Sequence, residues 1–313
     1  MDYSIVIPTN RSSSAIQPLL LSLVQQTLLP RQIVIVYDHP HLTWEIKNEY
    51  YNALQDIFSD YPLIQVDIID MLSTPWFIPW QWASYVRNVW RSSVIYPYMI
   101  FVDDDNIFDT SACEDLLSYR YDHPHAQAII APLQWDHAST TIRPSLAIWF
   151  QPLLCRPQWL SHHHILATER YYHLLLASSN CLVWPTMIFQ QFPFDESIPF
   201  VYEDLILTAQ MTQWGISVVC DTKVLIHHYH AHRSKLAELY INTAQRAYYK
   251  AKHRIILASL ITNRLQKVLF YGFGLWWHTC YLMICIIWYA PYVEWRWLLG
   301  WIIRGTRHGL MLK

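Results

Sequence analysis

Apolar runs of strand length alternate with helical repeats over the first hundred residues of the chain. Residues 4–7, 33–37 and 63–68 are such runs, and turn-forming residues follow the first two. Between the first two runs, apolar side chains recur at helical spacing over residues 16–24. Residues 45–58 and 82–92 predict two further helices. The pattern predicts strand–helix–strand units in a parallel sheet, with ligands bound at the carboxyl ends of the strands.

The middle of the chain is less regular. Residues 128–131 and 217–220 predict further strands. Residues 203–214 predict a helix that Gly215 closes at its carboxyl end, since glycine adopts the left-handed conformation of a helix cap.

Three carboxylates follow the apolar run 98–102, where that strand is expected to end: Asp103, Asp104 and Asp105. Mutual repulsion makes such a cluster costly unless a cation or several donors lie beside it. Mg²⁺ or Mn²⁺ is suited to the place, because it accepts a few carboxylates and leaves positions open for a diphosphate. The alternative is an acidic turn that caps the next helix through Asp109 or Thr110.

Composition narrows the class of protein. The 313 residues carry a net charge of −2, so no overall field attracts nucleic acid. They include 16 Trp and 21 Tyr and are 53% hydrophobic, which indicates that part of the surface contacts something other than water. The six cysteines form no Cys-x-x-Cys pair, as expected of reduced thiols in a cytoplasmic protein. No basic segment leads into an apolar one at the N-terminus, so we expect no secretory signal peptide.

An uncharged, Trp-rich stretch of 26 residues lies between Lys267 and Glu294. It is long enough to span a bilayer, and basic residues precede and follow it. A segment lying in the membrane interface fits equally well, and His278 and Pro291 favour that arrangement. The remaining alternative is a buried core helix.

These motifs, in their order and spacing over roughly residues 3–232, resemble the family 2 glycosyltransferases. The matching segments are residues 5–11, the Gln25-Gln26-Thr27 helix, the strand 33–36 before Asp38, Arg87-Asn88, Asp103 to Asp105, and residues 179–183, 192–196 and 202–205. The resemblance implies a GT-A fold, which is an α/β mixed sheet flanked by helices. It also implies a nucleotide-diphosphate sugar donor, a divalent metal (Mn²⁺ or Mg²⁺) and transfer with inversion.

The resemblance also assigns roles to residues. Asp105 is the expected direct metal ligand, with Asp103 and His228 beside it, although the register within the histidines at 227–230 stays open. The expected nucleotide-sugar-binding residues are Pro8, Thr9, Arg11, Asp38, Arg87, Asn88, Asp103 and Asp104. For Arg87, a structural salt bridge is an equally good interpretation. Asp204 matches the family's general base beside Glu203, and the expected acceptor-binding residues are Asn180, Asp195 and Glu196.

The expected domains are a catalytic domain over 1–235 and a helical, membrane-associated tail over 236–313. Within the first, residues 1–110 form the nucleotide-sugar-binding half and 111–235 the acceptor-binding half. Short basic and glycine motifs at 246–254 and 303–310 resemble the tails of rhamnosyltransferase-like bacterial members, which act on lipid-linked acceptors. We therefore expect a glycan or lipid-linked acceptor, contact of 268–313 with a membrane, and a position at the cytoplasmic face.

Two other functions compete with glycosyl transfer. A nucleotidyltransferase also binds metal and phosphates on an α/β sheet, but it needs a glycine-rich phosphate loop near the first strand. The chain has only six glycines and none before Gly215, which argues against that function. A non-catalytic, membrane-anchored glycan-binding protein is the other alternative, and the intact acidic motifs argue against it.

Overall fold

The computed structural model describes residues 1–37, 44–71, 82–124, 126–142, 146–153, 156–160, 170–229, 243–290 and 292–312. The strands are β1 (Tyr3–Thr9), β2 (Gln32–Tyr37), β3 (Gln65–Asp70), β4 (Tyr98–Val102), β5 (Asn106–Phe108), β6 (Ala128–Asp136), β7 (Thr141–Ile142), β8 (Leu146–Gln151), β9 (Arg156–Trp159), β10 (Tyr171–Leu174), β11 (Leu176–Ala177), β12 (Cys181–Pro185) and β13 (Ser217–His228). The helices are α1 (Ser13–Val24), α2 (Trp44–Phe58), α3 (Trp82–Val89), α4 (Ala112–Asp122), α5 (Thr186–Gln191), α6 (Glu203–Gln213), α7 (Ala244–Ile261), α8 (Arg264–Leu269), α9 (Leu275–Tyr289) and α10 (Tyr292–Met311).

The main sheet is mixed, with the strand order β10-β13-β6-β12-β4-β1-β2-β3. The predicted parallel pairing is confirmed for its first half, where β1 pairs in parallel with both β2 and β4, and β2 with β3. Beyond β4 the sheet becomes mixed, because β12 runs antiparallel to β4. Strands β6 and β13 are again parallel to each other. The short strand β5 pairs with β13, and β7 pairs with β6.

Alternate residues of the central strands enter two apolar cores, one on each face of the sheet. Ile5 and Ile7 of β1 join the core covered by α1, α2 and α4. Val6 joins the opposite core, which includes Val86 of α3 and Leu207 of α6. Since both faces are buried, these strands are continuous apolar runs, as the sequence indicated. The predicted α/β mixed sheet flanked by helices is therefore confirmed.

The third strand starts later than its apolar run. Leu63 and Ile64 lie in the turn after α2, where the Ile64 amide donates to the Tyr61 carbonyl (3.0 Å). The side chain of Leu63 is 72% exposed, so β3 begins only at Gln65. The predicted helix before Gly215 is confirmed over Glu203–Gln213, and Gly215 has the left-handed φ of 80° that suits a helix end.

The C-terminal helices pack on the sheet domain and on one another. Phe270 lies in one buried cluster with Phe150 of β8 and Ile255 of α7. A π-helical turn, Phe270–Gly274, links α8 to α9. Within the described part of the chain, one helical stretch, Arg264–Tyr289, is long and apolar enough to cross a membrane.

Two glycines of α10 allow a close approach to α7. A Cβ at Gly305 would lie 2.2 Å from the Tyr248 carbonyl oxygen, and one at Gly309 would lie 3.0 Å from the Lys252 carbonyl oxygen. The two helix backbones are therefore in direct contact. The predicted domain boundary at 235/236 lies outside the described residues.

Candidate active site

The first part of the site forms where β1 and β4 end side by side. The Thr9 hydroxyl, at the end of β1, donates to Asp104 Oδ2 (2.6 Å). Arg11 Nε lies 3.2 Å from Asp104 Oδ1, and its Nη2 lies 3.4 Å from Asp105 Oδ2. Burial raises the pKa of Asp104, while Thr9 and Arg11 act in the opposite direction. Pro8 is the partly buried residue before Thr9, and Asp38 lies outside the described residues.

Asp105 and His228 form a second pair at this edge. Asp105 Oδ2 lies 3.3 Å from His228 Nε2, and the His228 residue is 1% exposed. The pair is fixed by the backbone, because β5 and β13 run antiparallel with Asn106 opposite His228. The Tyr229 amide also donates to the Asp105 carbonyl (2.7 Å). Of the histidines at the end of β13, His228, the one expected as a metal ligand, is therefore the one that lies beside Asp105.

The donor set of this pair suits a divalent cation. Two ligands at right angles on one metal, each with a bond of ~2.1 Å, lie roughly 3 Å apart. The 3.3 Å between Asp105 and His228 is close to that spacing. Among the described residues, no group of three or more His, Cys, Asp or Glu side chains could hold a metal ion. A cation held by Asp105 and His228 would therefore find no third side-chain ligand of these types among the described residues.

Asp103 faces a different neighbour. Its amide donates to the Asn180 carbonyl (2.9 Å), and Asn106 Nδ2 donates to the Asp103 carbonyl (2.9 Å). Its carboxylate is one of those that raise the pKa of Arg87. The side-chain amide of Asn180 donates to Gln134 Oε1 (3.2 Å). Asn180 is therefore placed beneath the acidic motif rather than in an open cleft.

A buried ion pair joins Arg87 of α3 to Glu203 of α6. The Arg87 guanidinium lies over the rings of Phe101 (5.4 Å) and Phe194 (5.3 Å). Burial lowers the Arg87 pKa, but Glu203, Asp103 and Asp204 outweigh it and raise the pKa overall. Burial raises the pKa of Glu203 to about 7, against the opposing charge of Arg87. Of the two interpretations of Arg87, the structure displays the salt bridge.

Asp204 lies in the first turn of α6 and points to the loop before β12. Its Oδ2 accepts from the Ser179 amide (2.9 Å) and lies 3.4 Å from the Ser179 hydroxyl. Its Oδ1 accepts from the Leu205 amide (2.7 Å). The residue is partly exposed. Sequence reasoning assigned no role to Ser179, although it belongs to the 179–183 motif.

Asn88 holds the loop after α5. Its Nδ2 donates to the Phe194 carbonyl (2.8 Å) and to Glu196 Oε1 (3.1 Å), and its Oδ1 accepts from the Phe194 amide (2.9 Å). Asp195 caps the Ser197 amide (2.9 Å). An open cleft of about 540 Å³ runs along Asn88, Asp195 and Glu196. Asn88, which the sequence predicted to bind the nucleotide sugar, thus lies among the residues predicted to bind the sugar acceptor.

Comparisons with known proteins place the chain by its fold. No protein-family profile matches the chain, and no curated protein matches it. Solved structures do match. The crystal structure of S. aureus TarS 1–349 in complex with UDP-GlcNAc has a TM-score of 0.59 at 15% identity and covers 98% of this chain and 82% of its own.

Two further structures agree. GalNAc-T7 with UDP, GalNAc and Mn²⁺ has a TM-score of 0.58 at 12% identity, over 93% of this chain and 58% of its own. The mannosyltransferase PcManGT from Pyrobaculum calidifontis in complex with GDP-Man and Mn²⁺ has a TM-score of 0.57 at 11% identity, over 99% of this chain and 87% of its own. The chain therefore has the GT-A fold of nucleotide-sugar glycosyltransferases.

Proposed function

We propose that this chain is a metal-dependent, inverting glycosyltransferase that moves a sugar from a nucleotide-diphosphate donor to a glycan or lipid-linked acceptor. The observation that carries the proposal is a juxtaposition within the GT-A fold. The acidic motif that carries the Asp105–His228 pair is linked to Asp204 of α6 through the segment 179–180. The Asp103 amide donates to the Asn180 carbonyl, and the adjacent Ser179 amide donates to Asp204 Oδ2. The neighbours that bind UDP-GlcNAc and GDP-Man support a nucleotide-sugar donor. Membership of family 2, with rhamnosyltransferase-like relatives, is part of the same proposal.

The donor diphosphate is proposed to lie against Asp105 and His228. Mn²⁺ or Mg²⁺ held there would act as a Lewis acid toward the departing diphosphate oxygen. Arg11 contacts both Asp104 and Asp105 and supplies positive charge at the same place. Thr9 fixes Asp104, so that this carboxylate is oriented before the donor arrives. The nucleotide half of the site is thus built from β1, β4 and β13.

Asp204 is proposed as the general base that takes the proton of the attacking acceptor hydroxyl. Inversion requires a base on the face opposite the leaving group. Ser179 holds one carboxylate oxygen of Asp204, which fixes the direction of the group. Glu203 suits the role less, because its carboxylate is buried in the ion pair with Arg87. It orients the first turn of α6 instead.

Nucleotide-sugar donors screened for metal-dependent release of nucleoside diphosphate test the proposal. In Asp204→Asn we expect kcat to fall by roughly 10²–10⁴-fold, the usual contribution of a positioned base, with donor affinity unchanged. Glu203→Gln is the matched control and should lose less. Normal turnover in Asp204→Asn would remove it from the mechanism, and release of diphosphate from no donor would refute the proposed activity.

The membrane contact is proposed to use one face of the Arg264–Tyr289 helix. Its exposed apolar side chains recur at helical spacing: Leu265, Val268, Phe273, Trp276, Trp277, Ile284, Ile287 and Trp288. The opposite face is buried against the protein through residues such as Phe270, Leu275 and Leu282. A helix with one face held by its own protein fits into the interface plane better than across a bilayer. Exposed Arg296 and Arg304 on α10 would favour anionic lipid at the cytoplasmic face.

Sedimentation with anionic and zwitterionic vesicles tests this contact. We expect Trp288→Glu, at a side chain that is 79% exposed, to reduce binding strongly. Trp214→Glu is the control, because Trp214 is 72% exposed but lies beyond α6, outside the tail. Deleting 268–313 is a poorer test, since it removes Phe270 from the cluster it shares with Phe150. Equal binding by both variants would place the membrane contact elsewhere.

A further inference from the structure

Two consecutive residues before α6 have a backbone conformation that is unfavourable for their type. Val201 has φ 61° and Tyr202 has φ 73°, and neither is Gly, Asn or Asp. A β-branched valine rarely adopts positive φ, because its side chain crowds the backbone. Such a turn persists only where its surroundings hold it. Glu203 and Asp204 follow at once, so the turn sets the position of both carboxylates.

We propose that His253 of helix α7 is a positioning residue, which holds the turn 200–202 and thereby aims Asp204 at the acceptor. This inference rests on the proposed function of Asp204. His253 Nδ1 lies 2.9 Å from the Val201 carbonyl oxygen and 3.1 Å from the Phe200 carbonyl oxygen. Both partners are acceptors, so Nδ1 carries the proton and donates. The imidazole is completely buried.

Burial also keeps this histidine neutral. It lowers the pKa of His253 to about 4, with the opposing effect of the Val201 carbonyl insufficient to restore it. The ring is therefore a neutral Nδ1–H donor at physiological pH. Within the described part of the chain, Nε2 has no hydrogen-bond partner. The one hydrogen-bonding task of the side chain is thus the turn.

Two other side chains of α7 contact the same turn. Lys250 Nζ lies 4.3 Å from the centre of the Tyr202 ring. The Tyr249 ring meets the Phe200 ring edge-on, with centroids 4.9 Å apart. Tyr249, Lys250 and His253 of α7 therefore contact, between them, all three residues of the turn 200–202. A helix of the predicted tail contributes directly to the geometry of the catalytic region.

Two substitutions separate positioning from simple packing. His253→Leu fills the space but leaves two carbonyls without a donor. His253→Asn keeps an amide N–H close to the position of Nδ1. We expect His253→Leu to lower kcat by about 10²-fold, the cost of a misplacement of about 1 Å, with donor Kd unchanged. We expect kcat of His253→Asn to be at least tenfold higher than that of His253→Leu.

Ala258→Gly is the matched control for stability. Ala258 is buried on the same helix but packs with Phe150 and Phe270, away from the turn. It should lower the melting temperature and leave kcat unchanged. If His253→Leu keeps normal kcat, or if Ala258→Gly loses as much kcat, the positioning role is refuted.

Hydrogen exchange tests the role without any activity measurement. In His253→Leu we expect the amides of Leu205, Ile206 and Ser179 to exchange faster, because their acceptors are Tyr202 and Asp204, while those of β1 and β4 keep their protection. If exchange is faster in the variant but the wild type transfers no sugar, the proposed function is refuted while the hold of His253 on the turn 200–202 is supported. Unchanged exchange in the variant would refute that hold itself.

Discussion

Because α10 packs closely on α7, we expect two glycine-to-alanine substitutions in α10 to change the stability of the protein in opposite directions. An alanine at Gly300 meets no heavy atom within 4 Å, so Gly300→Ala changes only helix propensity. Glycine is less favourable than alanine inside a helix by about 1 kcal/mol, so this variant should be more stable by about that amount. An alanine at Gly305 gains the same propensity but places its Cβ 2.2 Å from the Tyr248 carbonyl oxygen.

That distance is about 1 Å too short for van der Waals contact, and the atom it meets is backbone. The helices must therefore separate by about 1 Å, which forfeits a quarter to a half of the dispersion energy across the contact. Overpacking costs about 1–3 kcal/mol, and contact with backbone belongs at the upper end. After subtracting about 1 kcal/mol of propensity, Gly305→Ala should be less stable by about 2 kcal/mol.

Scanning calorimetry measures both variants. With about 2 °C per kcal/mol for a chain of this size, we expect Gly305→Ala to melt about 4 °C lower and Gly300→Ala about 2 °C higher than the wild type. If both variants melt higher, α10 does not lie on α7, and the arrangement of the C-terminal helices described above is wrong.

Two further predictions concern the active site. Asp105→Ala should abolish Mn²⁺-dependent donor binding in titration calorimetry, since it removes one of the two proposed ligand side chains, whereas Asp109→Ala should bind normally. Unchanged affinity in the first variant would refute the metal assignment. The Glu203 pKa is raised from 4.5 to about 7 in the folded protein, so the unfolded state loses this proton at a lower pH than the folded state does. The free energy of unfolding should therefore fall as the pH rises between these two values. Urea unfolding at pH 5 and pH 8 should show a smaller fall in Glu203→Gln, and an equal fall in both proteins would contradict the raised pKa.

The first half of the sheet and the place of the acidic motif could be predicted from the sequence. Residues 5–7 of β1 and 33–37 of β2 are continuous apolar runs, which identifies buried strands without any knowledge of their partners. The acids after β4 fall at a strand end because the apolar run stops there. Their closeness to Thr9 then follows from parallel pairing of β1 with β4. Local pattern and general topology are enough for this part.

The rest depends on contacts between distant residues that leave no local pattern. Arg87 and Glu203 pair across 116 positions, and either could have met a diphosphate instead. Val201 and Tyr202 give no signal for positive φ, because the conformation is held by α7 rather than favoured by their own side chains. The uncharged stretch predicted an apolar surface, but only the structure shows which side of it the protein itself covers.

The packing of α10 on α7 bears on the synthesis of the protein. The sheet, α6 and the turn before it leave the ribosome well before α10, and domains begin to fold during synthesis. Ala247 and Ala251 of α7 stay uncovered until α10 arrives to bury them. If α7 holds the turn only when it is itself held, a nascent chain has the proposed donor site before the proposed base, Asp204, is in position. A chain interrupted within α10 is then expected to bind nucleotide sugar without transferring it.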